Sequence, residues 1–277
     1  MNNLHVNNKQ SLLEDFKNFV SNPQNFTDEV KTSKWGKTVN PQLYLYCDIE
    51  TFTFNCLQAT LTTPRAYKNA TFIVQVAWFE KGETLPNWCY FKDFREFLKV
   101  ITDNGCEELS HYDIQLVFHN GMKYDNHFLE KELITYLHLP LYNSIAEKSI
   151  NSKYNDLLHN DDIKKVPTFY KDRDDNWLSV SAIRSSTSHS IAFAYNGFFF
   201  ETQDSYLKTN DPLVMVGNKC KEKGLLTDEY IKDKSDIDFT AEKYNVKFDL
   251  SDDEVEEHKN KLINSLTNNE FKYVRND

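Results

Sequence analysis

With 277 residues, the chain is long enough for a large core and suits one elaborated domain, or a domain with a small appendage. A net charge of −10 excludes a protein that wraps duplex DNA through a broad basic surface, so any nucleic-acid contact has to be local. No apolar run approaches the roughly 20 residues that span a bilayer, the N-terminal MNNLHVNNKQ has the features of neither a signal nor a transit peptide, and five cysteines without a C-x-x-C pair give no disulfide framework, so the expectation is no membrane and a reducing cytoplasm.

Residues 9–20 place Leu12, Leu13, Phe16, Phe19 and Val20 at helical spacing, which predicts an amphipathic helix. Asn, Pro, Ser and Thr then dominate to residue 41, an irregular lead-in. Its Gly36-Lys37-Thr38 is no phosphate-binding loop, because Lys31 stands where a glycine is needed and no strand precedes it. The apolar run at 43–48 predicts a first core strand, and TFIVQVAWF at 71–79 a second, antiparallel to it. Asp93 with Glu96 predicts a capping box before a helix that turns Phe94, Phe97, Leu98 and Ile101 to one side. Residues 114–118 read as a short strand, His119-Asn120-Gly121 as a turn, and 124–137 as a helix with Phe128, Leu129, Leu133 and Leu137 inward.

Residues 140–176 are polar and end in DRDDN. Trp177 and Ile183 stand where a calcium loop requires Gly and Glu, so a solvated acidic loop is expected. A hairpin of strands at 177–184 and 190–202 should follow, around RSSTSHS. A Lys- and Asp-rich stretch of weak periodicity fills 217–249. Ser251 with Glu254 then starts a helix that runs toward Leu266, and Thr267 with Glu270 starts another near Asn268.

Asp48 and Glu50 end the first strand run. Side chains two apart share a strand face, so both carboxylates point into one place. There they repel each other unless a hard divalent cation such as Mg²⁺ or Mn²⁺ joins them. The other reading is a strand end with two solvated acids, since a pattern as short as Asp-x-Glu is common by chance. Asn120 at a strand tip and Asp125 at a helix start stand at the carboxyl end of a sheet, where α/β proteins place their sites. A turn Asn and a first-turn acid also arise for purely local reasons. No H-E-x-x-H occurs, and His119 and His127 read as flanking residues rather than ligands.

Together these stretches resemble the exonuclease motifs of family B DNA polymerases. Asp48-Ile49-Glu50-Thr51 is similar to the first motif, Asn120-Gly121-Met122-Lys123-Tyr124-Asp125 to the second in its three-spacer form, and Tyr273-Val274-Arg275-Asn276-Asp277 to the third, which lies on a helix. The chain more specifically resembles the protein-primed phage branch. Lys234-Ser235-Asp236-Ile237 fits that branch's Lys-x-x-hydrophobic motif, and Ser205 opens an approximate Ser/Thr-Leu-x-x-hydrophobic motif with Tyr206 where Leu is expected.

The resemblance covers roughly residues 42–277, behind an N-terminal helix and lead-in at 1–41. It implies an α/β, mixed-sheet ribonuclease H-like exonuclease domain with insertions, the 3′–5′ proofreading end of a polymerase in viral DNA replication. Two Mg²⁺ or Mn²⁺ ions, in such sites roughly 3.5–4 Å apart, would be held by Asp48, Glu50, Asp125 and Asp277. Tyr273 would orient the attacking water and Lys234 would offset charge on the scissile phosphate. Thr51, Asn120, Tyr124 and Ser205 would contact the single-stranded 3′ end of DNA. The resemblance further implies a primer terminal protein as partner, a polymerase domain in cis beyond residue 277, and the host cytoplasm as location if phage-encoded. Two alternatives stay open: a ribonuclease H-like nucleic-acid-binding module that does not cut, and a stand-alone DEDD-type DNA or RNA exonuclease.

Overall fold

The apolar run at 43–48 predicted as the first core strand becomes part of β1 (Gln42–Asn55), an inner strand of a mixed sheet. The protein is seen in a computed structural model that describes residues 4–26, 40–55, 67–137, 166–171, 176–182, 189–226 and 237–275. β2 (Tyr67–Trp78) pairs antiparallel with β1, as expected, and β3 (Asn87–Phe91) antiparallel with β2. On the other side of β1, β4 (Asp113–Phe118) runs parallel to it, and β8 (Phe198–Asp204) parallel to β4. β7 (His189–Tyr195), β6 (Trp177–Ala182) and β5 (Val166–Lys171) extend the sheet antiparallel, while the short β9 (Asn245–Val246) pairs with the far end of β1. The chain is therefore α/β, with an open sheet of mixed direction.

Two cores flank β1. Leu43, Leu45, Cys47 and Ile49 point to one side, where α1 (Leu4–Ser21), α2 (Phe94–Asn104) and α3 (Asp125–Leu137) pack. Phe16 of α1 meets the rings of Trp78 at 5.0 Å, Phe91 at 5.5 Å and Phe97 at 6.1 Å, so the N-terminal helix is built into this core. Each such buried ring stabilises the fold by about 1.5–3 kcal/mol. To the other side, Phe52 and Phe54 join Phe72 and Ile73 against α6 (Asp252–Asn264) and α7 (Asn268–Arg275) through Leu262, Tyr273 and Val274. The register skips between Glu50 and Thr51, which pair with Ile73 and Thr71 and leave Phe72 as a bulged residue directed into the second core. The acid pair thus lies where β1 passes from one environment to the next. Between β8 and this second core lie the short α4 (Tyr206–Thr209) and α5 (Leu213–Glu222).

Several expectations need correction. The strand expected over 190–202 is two strands, because Asn196 and Gly197 take φ of 50° and 83° and turn the chain in a two-residue hairpin, the left-handed pair that Asn-Gly adopts most readily. The polar stretch 140–176 contains β5, whose Pro167 is tolerated because β5 is an edge strand; Asp172 and Asp174 lie outside the described residues. β3 was unforeseen, although its NWCYF run is aromatic-rich and starts after Pro86. The weakly periodic 217–249 begins inside α5, a helix whose apolar run at 213–216 precedes that stretch and none of whose side chains is fully buried. Asp93 caps α2 by accepting from the Glu96 amide at 2.8 Å, but Glu96 reaches back to the amide of Lys92 at 2.7 Å, one residue before the box position. Among the described residues no helix is long and apolar enough to cross a membrane.

Candidate functional site

β1, β4 and β8 lie side by side and parallel, and β4 and β8 stop together with Phe118 opposite Asp204. β1 runs on past them, which lays Asp48 and Glu50 beside the turn that follows β4. This carboxyl edge of parallel strands is where α/β sheets open a crevice.

One carboxylate shapes the turn. Asp204 is buried; its Oδ1 accepts from the amides of Asn120 and Tyr206, both at 2.9 Å, and its Oδ2 from the amide of Met122 at 3.2 Å. Held this way, Asn120 sits at φ 66°, a left-handed conformation that Asn tolerates. At Gly121 a Cβ would lie 2.3 Å from the Cβ of Phe118, so only glycine fits under the loop. The start of α3 is tied to β8 by Asn126, whose Nδ2 donates to Thr202 Oγ1 at 3.3 Å.

A cleft of about 540 Å³ opens at this edge. Asp48 and Glu50 of β1, Asn120 and Tyr124 of the turn, Asp125 of α3 and Tyr273 of α7 all line it. Glu50, Asp125 and Tyr273 are buried, whereas Tyr124 is 46% exposed at the mouth. Thr51 does not line the cleft; it shares a 2.8 Å hydrogen bond with the Tyr124 hydroxyl and so fixes that ring, which leans on Phe128 at 5.0 Å. Ser205 does not line it either. Its Oγ donates to the Phe118 carbonyl at 3.2 Å and lies 3.0 Å from His119 Nδ1, behind the turn. Lys234 and Asp277 lie outside the described residues.

The electrostatics locate the negative charge. Burial first, then Glu50 and Asp48, push the Tyr273 hydroxyl well above the ordinary tyrosine range. Burial likewise raises Tyr124, opposed by its bond to Thr51 and reinforced by Asp125, Glu50 and Asp48. Both phenols stay protonated at neutral pH. The Cys47 thiol is pushed up by burial, then by Asp48 and Asp125, which keeps it protonated at neutral pH.

An all-carboxylate donor set suits a hard divalent cation. Among the described residues, no three His, Cys, Asp or Glu side chains form a ready group for an ion. Asp48, Glu50 and Asp125 are the residues that would hold one, with Asp277 as the expected fourth.

Compared with known proteins, the chain matches no protein-family model, no curated protein and no solved structure.

Sequence reasoning missed part of the cleft. His119 and Lys123 line it from the turn, Tyr206 from α4, and Pro212, Leu213 and Val214 form a wall at the start of α5. It also missed Asp204. An acid at a strand end that accepts from the amide two residues on is an Asx-turn, and Asp204-Ser205-Tyr206 carries that signal.

Proposed function

We propose that the cleft is a nuclease site of the ribonuclease H-like type. More particularly, we propose that the chain is the 3′–5′ exonuclease region of a protein-primed family B DNA polymerase acting in viral DNA replication. The observation that carries this reading is convergence: three carboxylates, a protonated tyrosine and two polar residues of a turn, drawn from separate elements in motif order, line one cleft at the carboxyl edge of the sheet. The mixed sheet is compatible with the fold proposed.

In this reading an unpaired 3′ end enters beside Tyr124 and Asn120. Tyr273 donates its hydroxyl to orient a water against the terminal phosphodiester. The water oxygen bonds to phosphorus, the preceding nucleotide's O3′ leaves with a proton, and a 5′-mononucleotide is released. Two divalent ions, held by Asp48, Glu50, Asp125 and Asp277, would supply an activated water and stabilise the attacking and leaving oxygens. Lys234 would offset charge on the phosphate. A mismatched terminus is cheaper to unpair and reaches the cleft more often, which is the basis of proofreading. The polymerase domain in cis, the primer terminal protein and the host cytoplasm follow from the same reading.

A second reading, a nucleic-acid-binding module that does not cut, is favoured by the lack of a ready three-ligand group among the described residues. One experiment separates the two. The chain should degrade single-stranded DNA from its 3′ end only with Mg²⁺ or Mn²⁺, and Asp48→Ala combined with Glu50→Ala should abolish degradation. Binding without cleavage selects the module; cleavage that survives both EDTA and the double substitution overturns the metal-dependent site. Matched RNA oligomers in the same assay test the stand-alone RNA exonuclease.

A further inference from the structure

No side chain of α5 is fully buried, although the helix opens with the apolar run Leu213-Val214-Met215-Val216. Leu213 and Val214 face the cleft, Met215 is 46% exposed, and Leu207 on α4 is 68% exposed. Leu213, Val214, Val216 and Cys220 are half-buried, so the helix packs only in part. Its charge is also against the trend of the chain: residues 205–226 hold four lysines, Lys208, Lys219, Lys221 and Lys223, against two acids, Asp211 and Glu222, in a protein of net charge −10.

Val214 and Lys221 are seven residues apart on α5, two turns on one face, so the face that forms the cleft wall continues about 10 Å along the helix to a cation. Lys219 is paired with Asp211, while Lys208 donates to Gln203 at 2.9 Å beside the end of β8. At the cleft itself the Lys123 ammonium sits over the Tyr206 ring, 5.2 Å from its centre, so a cation is held at the cleft mouth by an aromatic ring. A run of cations leading away from an apolar-walled cleft is what single-stranded nucleic acid requires, since its charge runs along the backbone.

Resting on the nuclease reading above, we infer that α4 and α5 form a guide for the single strand. Lys208, Lys221 and Lys223 take the phosphates upstream of the 3′ end, while the apolar start of α5 forms the wall past which the terminal nucleotides enter the cleft. This confines nucleic-acid contact to one local surface of an otherwise acidic protein, as its net charge demands.

The test is equilibrium binding of an oligodeoxythymidylate of about 12 nucleotides, in EDTA so that no cleavage intervenes, over a series of salt concentrations. The triple substitution Lys208→Ala, Lys221→Ala, Lys223→Ala should weaken binding roughly tenfold or more at low salt. It should also flatten the log–log salt dependence by about 2, the value for three lost single-strand phosphate contacts. Lys247→Ala with Lys261→Ala, which lie on a different cavity, should leave the slope as in the wild type. The replaced lysines are exposed, so an unchanged melting temperature verifies that the variants fold. If the triple variant keeps the wild-type affinity and slope, the guide is overturned and the nuclease reading stands. If the cavity pair flattens the slope equally, binding is diffuse and the guide is again overturned. Failure of the wild type to bind single strands at all overturns both.

Discussion

Tyr273 shows how one side chain is prepared by its surroundings. It is the hydroxyl, not the ring, that the proposed reaction uses, while the ring is packed 5.9 Å from Phe239 within the second core. Tyr273→Phe should therefore leave the melting temperature nearly unchanged and lower exonuclease turnover by roughly tenfold to a hundredfold, the range for a lost positioning hydrogen bond. Equal turnover would remove Tyr273 from the mechanism. Gly121 makes the opposite case. The Cβ of Gly121→Ala would press on Phe118, which is itself buried, so the substitution should cost about 1–3 kcal/mol of stability, read from denaturant unfolding, and displace Asn120 and Tyr124 from the cleft.

Helices α2 and α3 are joined by a carboxylate that is expensive to ionise. Glu132 of α3 accepts from the amide of Phe94, the first residue of α2, at 2.9 Å. Burial first raises its carboxyl to about 7, against the help of Thr71, the Phe94 amide and Lys259, with the charge of Asp93 adding to the rise. A folded-state value above the ordinary 4.5 means that its stability contribution is fully present below that pH and is lost as pH rises through about 7. The loss is on the order of 3 kcal/mol. Glu132→Gln should flatten the dependence of melting temperature on pH across this window and make the variant the more stable form above it; an unchanged slope would locate the titration elsewhere. At the other end of the sheet, the Asn196-Gly197 hairpin depends on Gly197 at φ 83°, and Gly197→Val should cost about 1–2 kcal/mol in thermal unfolding, because a branched side chain clashes in the left-handed region.

For the molecule as a whole, the cleft joins both cores, since Asp125 starts a helix of the first and Tyr273 belongs to the second. An ion bound there would link them. Mg²⁺ or Mn²⁺ at about a hundred times its dissociation constant should stabilise the protein by about 2.7 kcal/mol. That appears as a rise in melting temperature that Asp48→Asn with Glu50→Gln removes, without any activity being measured. No rise with either ion would count against the metal assignment.

What the sequence determined by itself is what lies within one turn or one strand. The apolar run at 43–48 gives β1, Ser251 with Glu254 and Thr267 with Glu270 fix the starts of α6 and α7 through reciprocal hydrogen bonds, and a two-residue spacing puts Asp48 and Glu50 on one side of a strand. The Asn196-Gly197 turn was equally local and was passed over, because an apolar run on both sides of it reads as one strand. Only the tertiary structure decided that Asp204 would hold the turn after β4, that Phe16 would complete a core with Trp78 and Phe91, and that Tyr273 would line the same cleft as Glu50. Those relations depend on strand order and on which faces are buried together. Neither is written in any short window of residues, because hydrogen-bonded neighbours in a sheet, and the side chains that share a core, meet through space and not along the chain.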